Sequence, residues 1–161
     1  MAEFHYRGMA ILLPDFDEEH KGFFEAARRH QLVLQRCVQC GKLRWEPGGG
    51  CPFCQSLEWE WQPVSGKGTI YSYQIVTQAI QPGFRDWVPY PLVLVELDEQ
   101  RGYPTEYDGL RLVTNLLDGK QQPEKEENVA IGKRVGVVFM EIDEKFALPQ
   151  FTLSDEPPLG S

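Results

Sequence analysis

Positive charge is scarce in this chain, and so are histidines, long apolar runs and any cysteine outside one short segment. Against 24 acidic side chains stand 16 basic ones, a net charge of −8. That balance repels a phosphate backbone and removes the nonspecific term that usually carries nucleic-acid affinity, so DNA or RNA is not expected as the main ligand. The three histidines, His5, His20 and His30, are dispersed. On one helix the last two would stand roughly three turns apart, too far to share a metal. The longest apolar run near the N-terminus, Met9 to Leu13, is too short for a secretory core or a membrane span, which points to a cytoplasmic protein. A GxSxG elbow, an HExxH pair and a complete Walker loop are missing as well, and the "GKG" at 66–68 reads as a tight turn into a strand. No catalytic set is visible.

What the chain does hold is "CVQCGKLRWEPGGGCPFC", residues 37–54, with every cysteine arranged as two CxxC pairs ten residues apart. In a reducing compartment such clustered thiols are metal ligands rather than disulfides. Cys37, Cys40, Cys51 and Cys54 can offer four sulfurs to one tetrahedral ion, and a closed tetrathiolate keeps no position open for water or substrate. The expected metal is therefore a structural Zn2+. Iron in the same ligand set, as in the electron carrier rubredoxin, is the rival that the local residues also admit. Rubredoxins space their knuckles more widely and are much shorter chains. Gly41 after the first pair suits a left-handed turn; Gln55, in the matching place after the second, departs from that pattern.

Around the clip the pattern is mainly β. Residues 1–31 read as an arm containing "MAILLP" and one helix, roughly Asp17 to His30, with Asp15 or Asp17 as N-cap and acidic residues preceding basic ones along the dipole. Phe16, Phe23, Phe24 and Ala27 form its apolar stripe. Residues 32–63 read as a rubredoxin-like zinc ribbon with short strands at 32–36, 42–46 and 57–63. Residues 64–153 carry five β-rich runs (69–78, 92–98, 110–117, 134–142 and 147–153), best accommodated by a small closed barrel of the OB type. Residues 154–161 read as a disordered tail. At 161 residues the chain can bury one good core with appendages.

One loop does not read as purely structural. "QAIQPGFRDWVPYP", 78–91, sets Phe84, Arg85, Trp87 and Tyr90 among prolines and a glycine after the first barrel strand. Large apolar groups in a loop need a cover. Either they fold back over the barrel mouth, or they face a ligand or partner. Tyr71 and Tyr73, two apart in the first barrel strand, are expected on one face. They leave open a second reading, an OB module whose aromatics stack single-stranded bases.

The order "FFEAARRHQLVLQRCVQCGKLRWEPGGGCPFC", then "LEWEWQPVSGKGTIYSYQIV", then "IGKRVGVVFMEI" resembles the DUF35 family, the zinc-ribbon/OB-fold proteins associated with acyl-CoA enzymes, from about Asp15 to Leu153. The resemblance implies a non-catalytic accessory subunit of a thiolase-fold enzyme. Such a subunit helps hold or channel an acyl-CoA thioester during C–C bond formation or cleavage. It transfers the four cysteines as metal ligands; Phe84, Arg85, Trp87 and Tyr90 are the expected contacts to coenzyme A thioester or partner. With a charge of −8, the phosphates of CoA would fall mainly to the partner.

Overall fold

The computed structural model describes residues 2–6, 9–13 and 17–159. In the N-terminal arm, strands β1 (Ala2–Tyr6) and β2 (Met9–Leu13) pair antiparallel. Asp15 and Phe16 lie outside the described residues. Helix α1 (Glu18–Arg28) is capped by Asp17, whose carboxylate accepts the His20 amide. It ends before His30, as expected from its dipole order but two residues early, because His30 takes a left-handed φ of 55°. The His30 ring then stacks on Phe139 at 5.3 Å and reaches Glu141.

The ribbon follows: β3 (Val33–Cys37) is the centre of a three-stranded antiparallel sheet, flanked by β4 (Leu43–Arg44) and β5 (Trp59–Pro63). Gln35 on β3, fully buried, is satisfied by the Arg44 guanidinium and the Gly48 amide at 2.7 and 2.9 Å, and its own amide reaches the Glu19 carbonyl. A buried amide with each end paired costs little and ties strand, inter-knuckle loop and helix together.

The barrel is built from β6 (Lys67–Val76), β7 (Tyr90–Leu97), β8 (Arg111–Leu117), β9 (Arg134–Glu141) and β10 (Ala147–Leu153). It closes in the order β6, β7, β8, β10, β9 and back to β6, with β8 and β10 parallel and every other pair antiparallel. That is the Greek-key closure of an OB-fold. Gly68 pairs with both Leu97 and Val135, so β6 passes from one side of the barrel to the other there. A register shift between Ile70 and Ser72 makes Tyr71 the bulged residue. The bulge breaks the alternation expected to align Tyr71 with Tyr73; both are exposed, but they line separate depressions.

Barrel, ribbon and helix share one apolar core. Ile70, Val95, Leu97, Leu116 and Phe151 from the barrel meet Leu34 from the ribbon and Phe23 from the helix. Arg134 is buried and pairs bidentately with Asp98 at 2.6 and 2.7 Å. Residues 154–159 have no regular structure, but the disorder expected of the tail is not found in them: the Ser154 amide donates to the Arg134 carbonyl and Glu156 meets Lys67 at 2.7 Å. Among the described residues no helix is long and apolar enough to cross a membrane.

Candidate metal centre and ligand-facing surfaces

Two knuckles of the same design bring the cysteines together. In the first, the Gly41 amide donates to the Cys37 carbonyl and the Cys37 amide to the Lys42 carbonyl, each at 2.9 Å. In the second, the Gln55 amide donates to the Cys51 carbonyl and the Cys51 amide to the Ser56 carbonyl, again at 2.9 Å. The residue after each pair is left-handed, Gly41 at φ 75° and Gln55 at φ 65°. The departure noted at Gln55 thus leaves the geometry intact and costs backbone strain instead.

The four Sγ atoms lie within 4.8 Å of one another, Cys37 to Cys54 and Cys40 to Cys51 at 3.6 Å, and no disulfide joins them. A tetrahedron with zinc–sulfur bonds of about 2.3 Å has edges of about 3.8 Å, so the cluster has the right size for one ion. Titration points the same way. The Cys40 amide holds the Cys37 thiol below its ordinary value. Burial opposes ionisation of Cys51, but the amides of Cys54 and Phe53 and the neighbouring sulfurs bring it down to about 6. At Cys54 the Ser56 amide favours the thiolate, yet burial and the sulfurs of Cys37, Cys40 and Cys51 push it up to about 11. Four thiolates this close repel one another, and a divalent cation at their centre removes the conflict. Their positions are those of a metal site, and they leave no ligand position over.

The loop 78–91 folds back. A single 3-10 turn, Pro82–Phe84, leads to Trp87, which is buried against Leu117 and Met140, while Phe84 and Tyr90 pack partly exposed beside it with rings 6.1 Å apart. Arg85 points to solvent. The structure therefore joins three of the four residues singled out here as a plug on one end of the barrel, and only Phe84, Arg85 and Tyr90 offer surface to an incoming molecule.

A second surface gave no signal in the sequence. Glu96 of β7 and Arg111 of β8 are 15 residues apart in the chain but directly paired in the sheet. Glu96 accepts a hydrogen bond from Arg111 Nε at 3.0 Å and forms a second ion pair with Arg101, whose Nε stands 3.0 Å away. Only strand register creates that neighbourhood, and register is a tertiary property.

Comparison with known proteins agrees with this architecture. Residues 24–60 match the family model described as "ChsH2, rubredoxin-like zinc ribbon domain" and residues 61–140 the one described as "ChsH2, C-terminal OB-fold domain". A "Probable enoyl-CoA hydratase alpha subunit" of Thermomonospora curvata is 38% identical over 138 residues, 86% of this chain; the chain spans 38% of that protein's length. A "DUF35 domain-containing scaffold protein" of Methanocaldococcus jannaschii is 32% identical over 117 residues, 72% of each chain. Among solved structures, a chain of an "Ltp2-ChsH2(DUF35) aldolase" superposes with a TM-score of 0.72 at 35% identity, covering 88% of this chain and 98% of that one. A DUF35 protein of unknown function from Sulfolobus solfataricus, with a TM-score of 0.51 at 14% identity over 85% of this chain and 86% of that one, shares the fold. A helix leading into a two-knuckle ribbon, an OB barrel closed behind it and a DUF35 relative 32% identical and matched over 72% of its length place the chain in the DUF35 family.

Proposed function

We propose that this chain is a cytoplasmic, non-catalytic accessory subunit that docks on a thiolase-fold enzyme and helps hold or channel an acyl-CoA thioester while the enzyme makes or breaks a C–C bond. The single observation that carries the reading is the match, along 98% of its length, to a chain solved as part of an aldolase named for two components, Ltp2 and ChsH2(DUF35). The chemistry of the clip agrees. Zn2+ bound by Cys37, Cys40, Cys51 and Cys54 would have four sulfurs and no exchangeable position, and it would fix the ribbon rather than activate a substrate. The nucleophile and base would belong to the partner.

In this reading the chain contributes walls. Phe84, Arg85 and Tyr90 on the proline-shaped loop would line the path of the pantetheine arm, with Trp87 behind them as support. The test is recovery of the tagged protein from its native extract, with co-eluting chains identified by mass spectrometry. A near-stoichiometric thiolase-fold protein is expected. Recovery alone, turnover of acyl-CoA by the isolated chain, or co-elution with nucleic acid would sink the accessory reading; the last would favour the OB module in which exposed Tyr71 and Tyr73 meet bases.

A further inference from the structure

A depression of about 680 Å³ opens where β6, β7 and β8 meet the loop 98–110, and none of its lining residues belongs to the metal clip or to the loop 78–91. At its floor Glu96, with a side chain 9% exposed, holds two guanidiniums. Arg111 donates Nε to Oε2 at 3.0 Å, with its Nη2 2.9 Å from the same oxygen, and Arg101 forms an ion pair with Oε1, its Nε at 3.0 Å. The same Nη2 donates to the Tyr107 carbonyl at 2.8 Å, and the guanidinium carbon stands 4.0 Å from the centre of the Tyr71 ring. Space for the carboxylate exists because residue 109 is glycine: a Cβ there would lie 2.8 Å from Glu96 Oε2.

Arg111 is thereby fixed by a buried anion and Arg101 stands against the same carboxylate as an ion pair, with Nη1 of Arg111 and every N–H of Arg101 making no hydrogen bond among the described residues. Planar N–H groups held in place match the oxygens of a phosphate. Tyr107 and Ile131, 77% and 67% exposed, stand at the rim and offer a ring face and an alkyl surface. The depression lies on the first three strands of the barrel, against the loop that joins the second to the third.

We propose that this depression binds a phosphate-bearing ligand of mononucleotide size, one flat ring with one or two phosphates, supplied either by a free nucleotide or by the nucleotide end of coenzyme A. Only the choice of coenzyme A as the source rests on the accessory reading. The volume fits one such unit. A longer strand is disfavoured, since phosphates beyond the depression meet a molecule of net charge −8. Glu106 also lines the site and no ion pair neutralises it among the described residues, so it weakens the local positive field.

The full-length chain is titrated calorimetrically with adenosine 3′,5′-bisphosphate, coenzyme A, adenosine, pantetheine and a short single-stranded oligonucleotide. The bisphosphate and coenzyme A should bind, with adenosine and pantetheine at least about tenfold weaker. Equal affinities identify the nucleotide as the whole of what is read; tighter binding of coenzyme A identifies it as the source. Arg101 is half-exposed, so Arg101→Gln leaves the Glu96–Arg111 pair in place and should weaken both ligands about tenfold. Glu106→Gln should tighten them about twofold. Unchanged circular dichroism shows that each variant is folded. Absence of binding by either nucleotide, affinity indifferent to Arg101→Gln, or preference for the oligonucleotide overturns the proposal. Partner recovery is scored separately: nucleotide binding without a thiolase-fold partner sinks the accessory reading alone, and a partner without nucleotide binding sinks this one alone.

Discussion

Gln55 and Gly41 occupy the same place in two copies of one knuckle, and only one of them suits it. A side chain in the left-handed region costs about 1–2 kcal/mol, which Gln55 bears at φ 65°. Gln55→Gly should therefore stabilise the protein by about 1 kcal/mol, seen as a higher denaturant midpoint at unchanged slope. A lower midpoint would mean that the Gln55 side chain makes contacts outweighing its strain. The ion pair of Arg134 is the opposite case, a buried cation held by Asp98, which is 23% exposed. Asp98→Ala leaves that cation with Thr69 and a longer contact to Glu156, and should cost about 3 kcal/mol, the low end for breaking a buried pair. The N-cap adds a pH dependence. The His20 side chain holds the Asp17 carboxyl below its ordinary value of 3.8. A group depressed in the folded state stabilises it above the ordinary pKa and loses that effect as pH falls through the lowered one. The stability gap between the wild type and Asp17→Ala, measured by denaturant unfolding at pH 7 and near pH 2, should be present at the first and shrink at the second.

At the scale of elements, the ribbon depends on its ion and the barrel does not. Its three strands are only five, two and five residues long, and the clip joins their ends. Removing the metal with a chelator, or replacing Cys37 with Ser, should unfold residues 33–63 and release Trp59 and Trp61 from their edge-to-face contact at 5.1 Å. Near-ultraviolet dichroism would lose tryptophan signal while amide exchange in β6 to β10 stays slow. Equal loss of protection in the barrel would show one cooperative unit. Within the barrel, closure turns on Gly68, where a Cβ would meet Val95 Cγ1 at 2.6 Å and the Glu96 carbonyl at 2.7 Å. Strand alternation was readable in advance because it is local. The bulge at Tyr71 was not, since it is fixed by what lies opposite on β7.

Over the whole molecule, helix, ribbon and barrel are bolted together by a few close contacts. Gln100, in the loop after β7, exchanges two hydrogen bonds of 2.8 Å with the backbone of Leu43 in the ribbon. The ring of Phe24 stacks on Phe146 at 5.2 Å, joining α1 to the loop between β9 and β10. Gly22, in mid-helix, lies under the Trp61 indole, and a Cβ there would stand 2.1 Å from Nε1. Helix propensity by itself makes Gly22→Ala stabilising by about 1 kcal/mol. Overpacking against a ring held by the sheet costs about 1–3 kcal/mol, so the net effect should be a lower melting temperature. A rise would show that α1 can move off the ribbon.

By itself the sequence determined the four-sulfur clip, the helix and the two-residue period of the strands. Each of these lies in short-range spacing, which a linear chain displays. Tertiary structure alone decided that residues 2–6 and 9–13 pair as strands, that Trp87 is buried rather than open surface, and that Glu96 meets both Arg101 and Arg111, the latter against the Tyr71 ring. The reason is that these depend on which strand lies beside which and in what register. Pairing energies between distant segments set that register, and no local pattern in the chain records it.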